Sequence, residues 1–332
     1  MPVHERVCTL LKDDPRIPVH STSGKNRLVI PATQCIPCTF TRYWDKRLEK
    51  ILWITLGSLL IGLGYLIAFT VPQEITHVER SALTDSPQEM GLYFENFEIS
   101  PKDASLKIAG WWMPAENARA TLVVIHGAGS NRNSLYFDSL PFYAAMVNHK
   151  VNVVAIDLRN HGDSDADGKG LQYGRTEMHD ALAAIAWANM KTPDLPLLAM
   201  GISMGGATVI YAANHGADLD GIILLDSLLD TRDVLRQGGW ISTGLPAALF
   251  SPSAWIATTF YGLPAGSDRA LDVAAALELP ILAIQDPDDP ITRAKYSREL
   301  AIRNRRVTLW AAPLIPADHP DLAWRGRWGT HV

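Results

Sequence analysis

Five consecutive residues, Gly201-Ile202-Ser203-Met204-Gly205, restrict the fold of this chain more than any other stretch. The apolar run Leu197-Leu198-Ala199-Met200 leads in, and the helix-forming run from Ala207 to Ala213 leads out. A strand that turns straight into a helix forces the residue at the turn into strained backbone geometry. Small residues two positions either side let the chain bend that sharply, so the serine hydroxyl stands clear above the sheet. The start of the following helix also favours negative charge developing nearby. As a bare string, G-x-S-x-G arises by chance in roughly one chain in ten of this length, given average glycine usage of about 7%. Its weight comes from the flanking strand and helix, and an ordinary Gly-rich turn is the reading it must displace.

The rest of the chain supplies a matching framework. Its 332 residues suit one α/β domain with appendages. Strand-like runs fall at 93–100, 106–113, 121–125, 151–156, 197–201, 221–225, 281–284 and 306–310. Helical patterns follow at 139–148, 176–190, 205–214 and 294–302. Short apolar strands alternating with helices predict a mostly parallel sheet covered on both faces, with reactive groups at the carboxyl ends of the strands. The segment 228–277 breaks this rhythm. It holds Trp240, Trp255, Phe260 and Tyr261 among Gly and Pro, is too long for a plain connection, and reads as a lid.

Ahead of this domain, Ile51 to Val71 is a run of 21 residues without a charge. At 1.5 Å per residue it matches the hydrocarbon core of about 30 Å, and it has no polar face to suit a buried core helix. A cleaved signal peptide would have a shorter apolar region nearer the N-terminus. Arg42, Lys46, Arg47 and Lys50 precede the run, whereas Glu74, Glu79 and a single Arg80 follow it. The positive-inside rule therefore predicts a cytoplasmic tail (1–50), a transmembrane helix (51–71), a polar linker (72–91) and a non-cytoplasmic domain (92–332). Gly57, Gly62 and Gly64 form no strict G-x-x-x-G and support no claim of helix pairing. The net charge of −5 excludes a nucleic-acid footprint. All three cysteines, Cys8, Cys35 and Cys38, lie in the first forty residues. No second pair completes a zinc site, so the C-x-x-C is read as incidental.

A serine is a poor nucleophile until a base takes its proton, so a histidine and an orienting acid should follow it in the order serine, acid, histidine. Two histidines come late enough. His331 is penultimate and reads as frayed, whereas His319 follows a strand-like run in a Pro/Asp loop and is the expected base. The acid is expected after the strand 281–284, where Asp286, Asp288 and Asp289 crowd together. Asp226, at the end of the preceding strand, is a further candidate, with a capping role the simpler reading.

With these pieces together, the domain resembles the α/β-hydrolase superfamily, in particular membrane-anchored bacterial serine hydrolases. Leu106–Trp111 looks like the family's early strand with its Gly-Trp, and His126-Gly127-Ala128-Gly129 resembles its HGxG loop. The segment from Asp157 to Ser164 resembles its DxRGHGxS loop, with Asn160 in place of the usual glycine. The resemblance implies an α/β-hydrolase fold and a Ser203–Asp289–His319 triad, with Asp288 second and Asp286 third for the acid because the usual His-Gly pair is missing from that loop. It also implies an oxyanion hole built from the amides of Ala128 and Met204, with His126 and His161 as structural loop residues and Asp157 and Asp163 as braces.

The expected activity is hydrolysis of carboxylic esters through an acyl-enzyme, on small or lipid-like substrates, with no metal and no organic cofactor. Peptidase or acyltransferase chemistry would use the same triad. A rival from a different class is a membrane-tethered binding module that kept the fold and lost catalysis. The irregular acid loop and the thirteen residues remaining after His319, where relatives place a fuller closing helix, keep that rival in view.

Overall fold

Residues that alternate between the two sides of a strand bury two layers at once, and eight such runs build the core of this protein. The computed structural model describes residues 38–77, 80–134, 137–313 and 331, with only the backbone given for 38–45. Its strands are β1 (Glu95–Ile99), β2 (Ile108–Met113), β3 (Ala120–Ile125), β4 (Val151–Ile156), β5 (Leu197–Ile202), β6 (Gly221–Leu225), β7 (Ile281–Gln285) and β8 (Val307–Ala311). They form one sheet in the order β1-β2-β4-β3-β5-β6-β7-β8, in which only β2 runs antiparallel to its neighbours. The fold is that of an α/β hydrolase.

One face of the sheet carries Val123, Ile125, Val154, Ile156, Leu197, Ala199, Ile222 and Leu224 into a large buried cluster. The other face carries Leu122, Val124, Val153, Ala155, Met200 and Ile202 into a smaller one with Leu140 and Tyr143. The helices are α1 (Cys38–Tyr65), α2 (Val71–Thr76), α3 (Ser139–Asn148), α4 (Met178–Lys191), α5 (Met204–Asn214), α6 (Thr231–Thr243), α7 (Ser251–Phe260), α8 (Ala270–Ala276) and α9 (Ala294–Arg303). Helix α3 seals the smaller cluster, and α4, α5, α8 and α9 contribute to the larger. The segment between β6 and β7 is therefore a composite. Its last helix, α8, packs on α5 and α9 in the layer over the sheet, while α6 and α7 pack on each other as an excursion.

The chain divides into two compact units, Met1–Gly62 and Leu63–Val332. Of the first, the described part is α1, whose side chains are exposed along its apolar run. The helical stretch Lys46–Thr76 is long and apolar enough to cross a membrane. Pro72 has no N–H to give the carbonyl four residues back, and around it the helix widens into a π-type turn at Leu66–Thr70, where Val71 N–H bonds the Leu66 carbonyl. The Ala68 carbonyl accepts instead from the Tyr261 hydroxyl at 3.3 Å. Within the second unit, the end of α2 and the segment after it are tied to later loops: Tyr173 Oη donates to Ile75 O (2.7 Å), Leu171 N–H to Thr76 O (2.8 Å) and Ser81 Oγ to Gly129 O (2.8 Å).

The close approach of α5 to the sheet depends on residues without a Cβ. At Gly205 a Cβ would come 2.2 Å from the Ile125 carbonyl oxygen, and at Gly201 2.3 Å from the Gly205 carbonyl oxygen. Both are backbone atoms that cannot swing away. Gly205→Ala is expected to destabilise the folded domain by about 1–3 kcal/mol or more through overpacking. Thermal melting measures this, and a midpoint equal to the parent's would show that the helix does not need this clearance.

Candidate active site

Ser203 ends β5 and precedes α5 with φ 51° and ψ −115°, a conformation a serine adopts only when its surroundings impose it. Its N–H donates to Leu225 O at 2.9 Å, and its own carbonyl accepts from Gly206 N–H (3.0 Å) and Leu228 N–H (2.9 Å). The backbone is thus held on both sides and the hydroxyl is left half-exposed above the strand ends.

That hydroxyl meets a histidine. Ser203 Oγ lies 3.1 Å from His331 Nε2, and His331 Nδ1 lies 2.7 Å from Asp289 Oδ2. An Nδ1–H that donates to the carboxylate leaves Nε2 free to accept the serine proton. Asp289 is fully buried. Its Oδ1 accepts from the amides of Ile291 (2.7 Å) and Thr292 (2.9 Å), and its Oδ2 also accepts from the Thr292 hydroxyl. The neighbouring carboxylates have other work: Asp288 is exposed, and Asp286 accepts from Asp288 N–H at 2.8 Å.

The histidine beside Ser203 differs from the one expected from the sequence. His319 was the expected base and lies outside the described residues, and the histidine placed at Ser203 is His331. Nearness to a chain end does not fray a residue that tertiary contacts hold. The His331 side chain is 9% exposed and bonded at both ring nitrogens. The order serine, acid, histidine left two candidates, and the one placed beside Ser203 among the described residues is His331.

The loop after β3 lies directly against Ser203, since a Cβ at Gly127 would stand 3.2 Å from Ser203 Cβ. Two buried histidines shape it. His126 Nδ1 donates to Gly127 O (2.7 Å) while its Nε2 accepts from Leu158 N–H (3.0 Å). His161 Nδ1 donates to Arg159 O (2.8 Å) while its Nε2 accepts from Gly129 N–H (3.2 Å). Each ring thus acts as donor and acceptor in its neutral form, and burial pushes their pKa values down to about 4 and about 3. Asp157 ties the two loops by accepting from Arg132 N–H (2.7 Å), the Arg132 guanidinium and Asp163 N–H (2.8 Å). The amides of Ala128 and Met204, in contrast, have no hydrogen-bond acceptor among the described residues.

One further buried carboxyl closes the site from behind. Asp226 Oδ1 accepts from Gln285 Nε2 (2.8 Å) and Asp286 N–H (2.7 Å), so it pins the start of the acid loop. Gln285 Nε2 also reaches Thr292 O (2.9 Å), and its Oε1 takes the Ser297 hydroxyl. Burial, reinforced by the nearby Asp289 charge, pushes the Asp226 carboxyl up to about 8. Gln285 stands where the usual His-Gly pair would begin, and its tie to Asp226 is invisible in sequence because that partner lies 59 residues away. Among the described residues, no group of three or more His, Cys, Asp or Glu is arranged to hold a metal ion.

Residues 122–328 match the alpha/beta hydrolase family. Among curated proteins, the chain is 25% identical over 222 residues to a monoacylglycerol lipase of Mycolicibacterium smegmatis, covering 58% of this chain and 78% of that protein. It is 26% identical over 128 residues to a mouse monoglyceride lipase, covering 38% of this chain and 41% of that one. Among solved structures, an esterase of Pyrococcus furiosus superposes with a TM-score of 0.60 at 21% identity, over 71% of this chain and 88% of that one. This last likeness is one of fold.

The elevated Asp226 pKa has a testable sign. Between the ordinary carboxylate range and about pH 8 the folded state holds a proton that the unfolded state has released, so stability falls as pH rises through that window. Asp226→Asn keeps the acceptor oxygen and removes the titration. It is expected to flatten the fall in melting temperature as pH rises from the carboxylate range to about 8, and to leave turnover intact. A variant with the parent's pH slope would show that Asp226 is not the titrating group, and loss of turnover would make Asp226 part of the charge relay.

Proposed function

Because this chain belongs to the alpha/beta hydrolase family, we propose that it is a membrane-anchored serine hydrolase that cleaves carboxylic esters of lipid-like molecules. The observation that carries this reading is the hydrogen-bonded line from Ser203 through His331 to Asp289. His331 Nε2 takes the Ser203 proton as Oγ attacks the ester carbonyl carbon, and Asp289 holds the ring and stabilises the imidazolium. The tetrahedral oxyanion forms beside the free amides of Ala128 and Met204, a pair of donors of which each is worth about 2.7–4 kcal/mol on precedent. Collapse breaks the bond to the alcohol, which leaves with the proton from His331. Water, activated by the same nitrogen, then attacks the acyl-enzyme and returns the hydroxyl to Ser203.

Two observations support a lipid-like ester. The relatives are named for monoacylglycerol and monoglyceride lipases, and the segment that follows Leu228 is rich in apolar and aromatic residues. The helical stretch ahead of the domain serves as a single-pass anchor. The excess of basic residues before it puts the N-terminus in the cytoplasm and the hydrolase domain on the other side. Protease added to intact cells should therefore digest the domain, and its full protection would reverse the orientation.

A fluorophosphonate probe tests the chemistry directly, because it reacts only with an activated serine. The membrane-bound parent and His319→Ala should both label, whereas Ser203→Ala and His331→Ala should not. Asp289→Asn should lower ester turnover by about a hundredfold to ten-thousandfold through loss of the correct tautomer. Labelling that survives in Ser203→Ala would overturn the assignment. A folded parent that does not label would favour a tethered binding module that has lost catalysis.

A further inference from the structure

The longest uncharged stretch of the chain is not the membrane-span candidate. From Gln237 to Ser267 there are 31 residues without Asp, Glu, Lys, Arg or His. Gly244, Pro246, Pro252, Gly262 and Pro264 break it repeatedly, so it cannot cross a bilayer as one helix. It is nevertheless exposed where a water-facing helix would carry charge. Leu245 is 52% exposed, Leu249 59%, Trp255 51% and Phe260 70%, with Trp255 and Phe260 meeting edge to face at 5.6 Å.

Its position relative to the apolar run is given by one contact. α7 packs on the π-type turn and on α2, and the Tyr261 hydroxyl bonds the Ala68 carbonyl at 3.3 Å. Ala68 lies three residues inside the end of the uncharged run at Val71, which at 1.5 Å per residue is about 4.5 Å short of its end. A group that touches Ala68 of a membrane-spanning helix is at the depth where hydrocarbon meets headgroups, the zone that aromatic side chains prefer.

We infer that α7 and the turns flanking it lie in the interfacial layer of the bilayer, with Leu249, Trp255 and Phe260 immersed in lipid, so that an amphiphilic ester reaches Ser203 from the membrane rather than from water. The inference rests on reading the helix as a span and the site as an ester hydrolase. The excursion begins at the nucleophile itself, where Leu228 N–H bonds the Ser203 carbonyl, so a lipid-bound excursion brings bilayer and serine together. Its lack of charge identifies the occupant as the apolar layer of a neutral membrane, since nothing in the stretch pairs with anionic headgroups.

The test uses full-length protein in phosphatidylcholine vesicles whose acyl chains are brominated near the headgroup, with tryptophan emission as the readout. Trp255→Phe and Trp53→Phe should each remove quenchable emission, and Trp310→Phe, on β8, should not. If Trp53→Phe lowers the quenching and Trp255→Phe does not, the excursion is outside the bilayer and the inference falls. If neither does, the span reading falls and takes the inference with it. In the second arm, Phe260→Glu should cut turnover of a long-chain monoacylglycerol in vesicles by about tenfold, while a soluble short-chain ester stays within about twofold. Equal effects on the two substrates would overturn delivery from the membrane. A parent inactive on both would instead sink the ester-hydrolase reading, with the quenching result still deciding where the excursion lies.

Discussion

How closely the start of α5 can approach the strand ends decides almost everything else at this site. The turn holds Ser203 at a positive φ, a strain of about 1–3 kcal/mol that the surrounding sheet and helix must offset. The same close packing puts Gly127 against the serine Cβ and Leu228 on the serine carbonyl. One bend therefore sets three relations together: Ser203 to His331, Ser203 to the loop that holds the Ala128 amide, and Ser203 to the segment that starts at Leu228. Loosening the bend would disturb all three, which is why two glycines whose missing side chains face backbone atoms matter more here than any single large side chain.

Three buried carboxyls around this bend do different work because their surroundings differ. Asp289 sits among N–H and O–H donors and faces the imidazole. Asp157 faces the Arg132 guanidinium and braces two loops. Asp226 is buried with two donors and no cation among the described residues, and it lies near the Asp289 charge, so it favours the protonated state. Residue type alone would have made these three interchangeable. Placement separates the carboxylate facing the His331 ring from the brace and from the clamp, the division expected where environments push like groups apart.

Much of this was legible in the chain. Each strand-like run became a strand with ends shifted by no more than two residues, and the helix at 139–148 formed with those bounds, because alternation and turn residues are local signals. Ser203 was legible for the same reason, since its neighbours carry the requirement. His331 was not. Two hydrogen bonds to segments 128 and 42 residues away hold it, and no pattern near residue 331 announces them. The segment 228–277 read as one lid, yet α8 belongs to the layer over the sheet. Composition set α6 and α7 apart from a plain loop, but only packing shows that Leu235, Ala254 and Ala257 join the buried cluster while Leu249, Trp255 and Phe260 stay exposed.

The junction at Pro72 shows how local chemistry propagates outward. Proline deprives the Ala68 carbonyl of its ordinary helical donor, and an unpaired carbonyl in an apolar setting costs free energy of the order of a lost hydrogen bond. Tyr261, the residue after α7, supplies the donor. Within the second unit, Leu63 to Val332, the end of the apolar run and α7 are thus joined by a specific contact that a plain linker would not need.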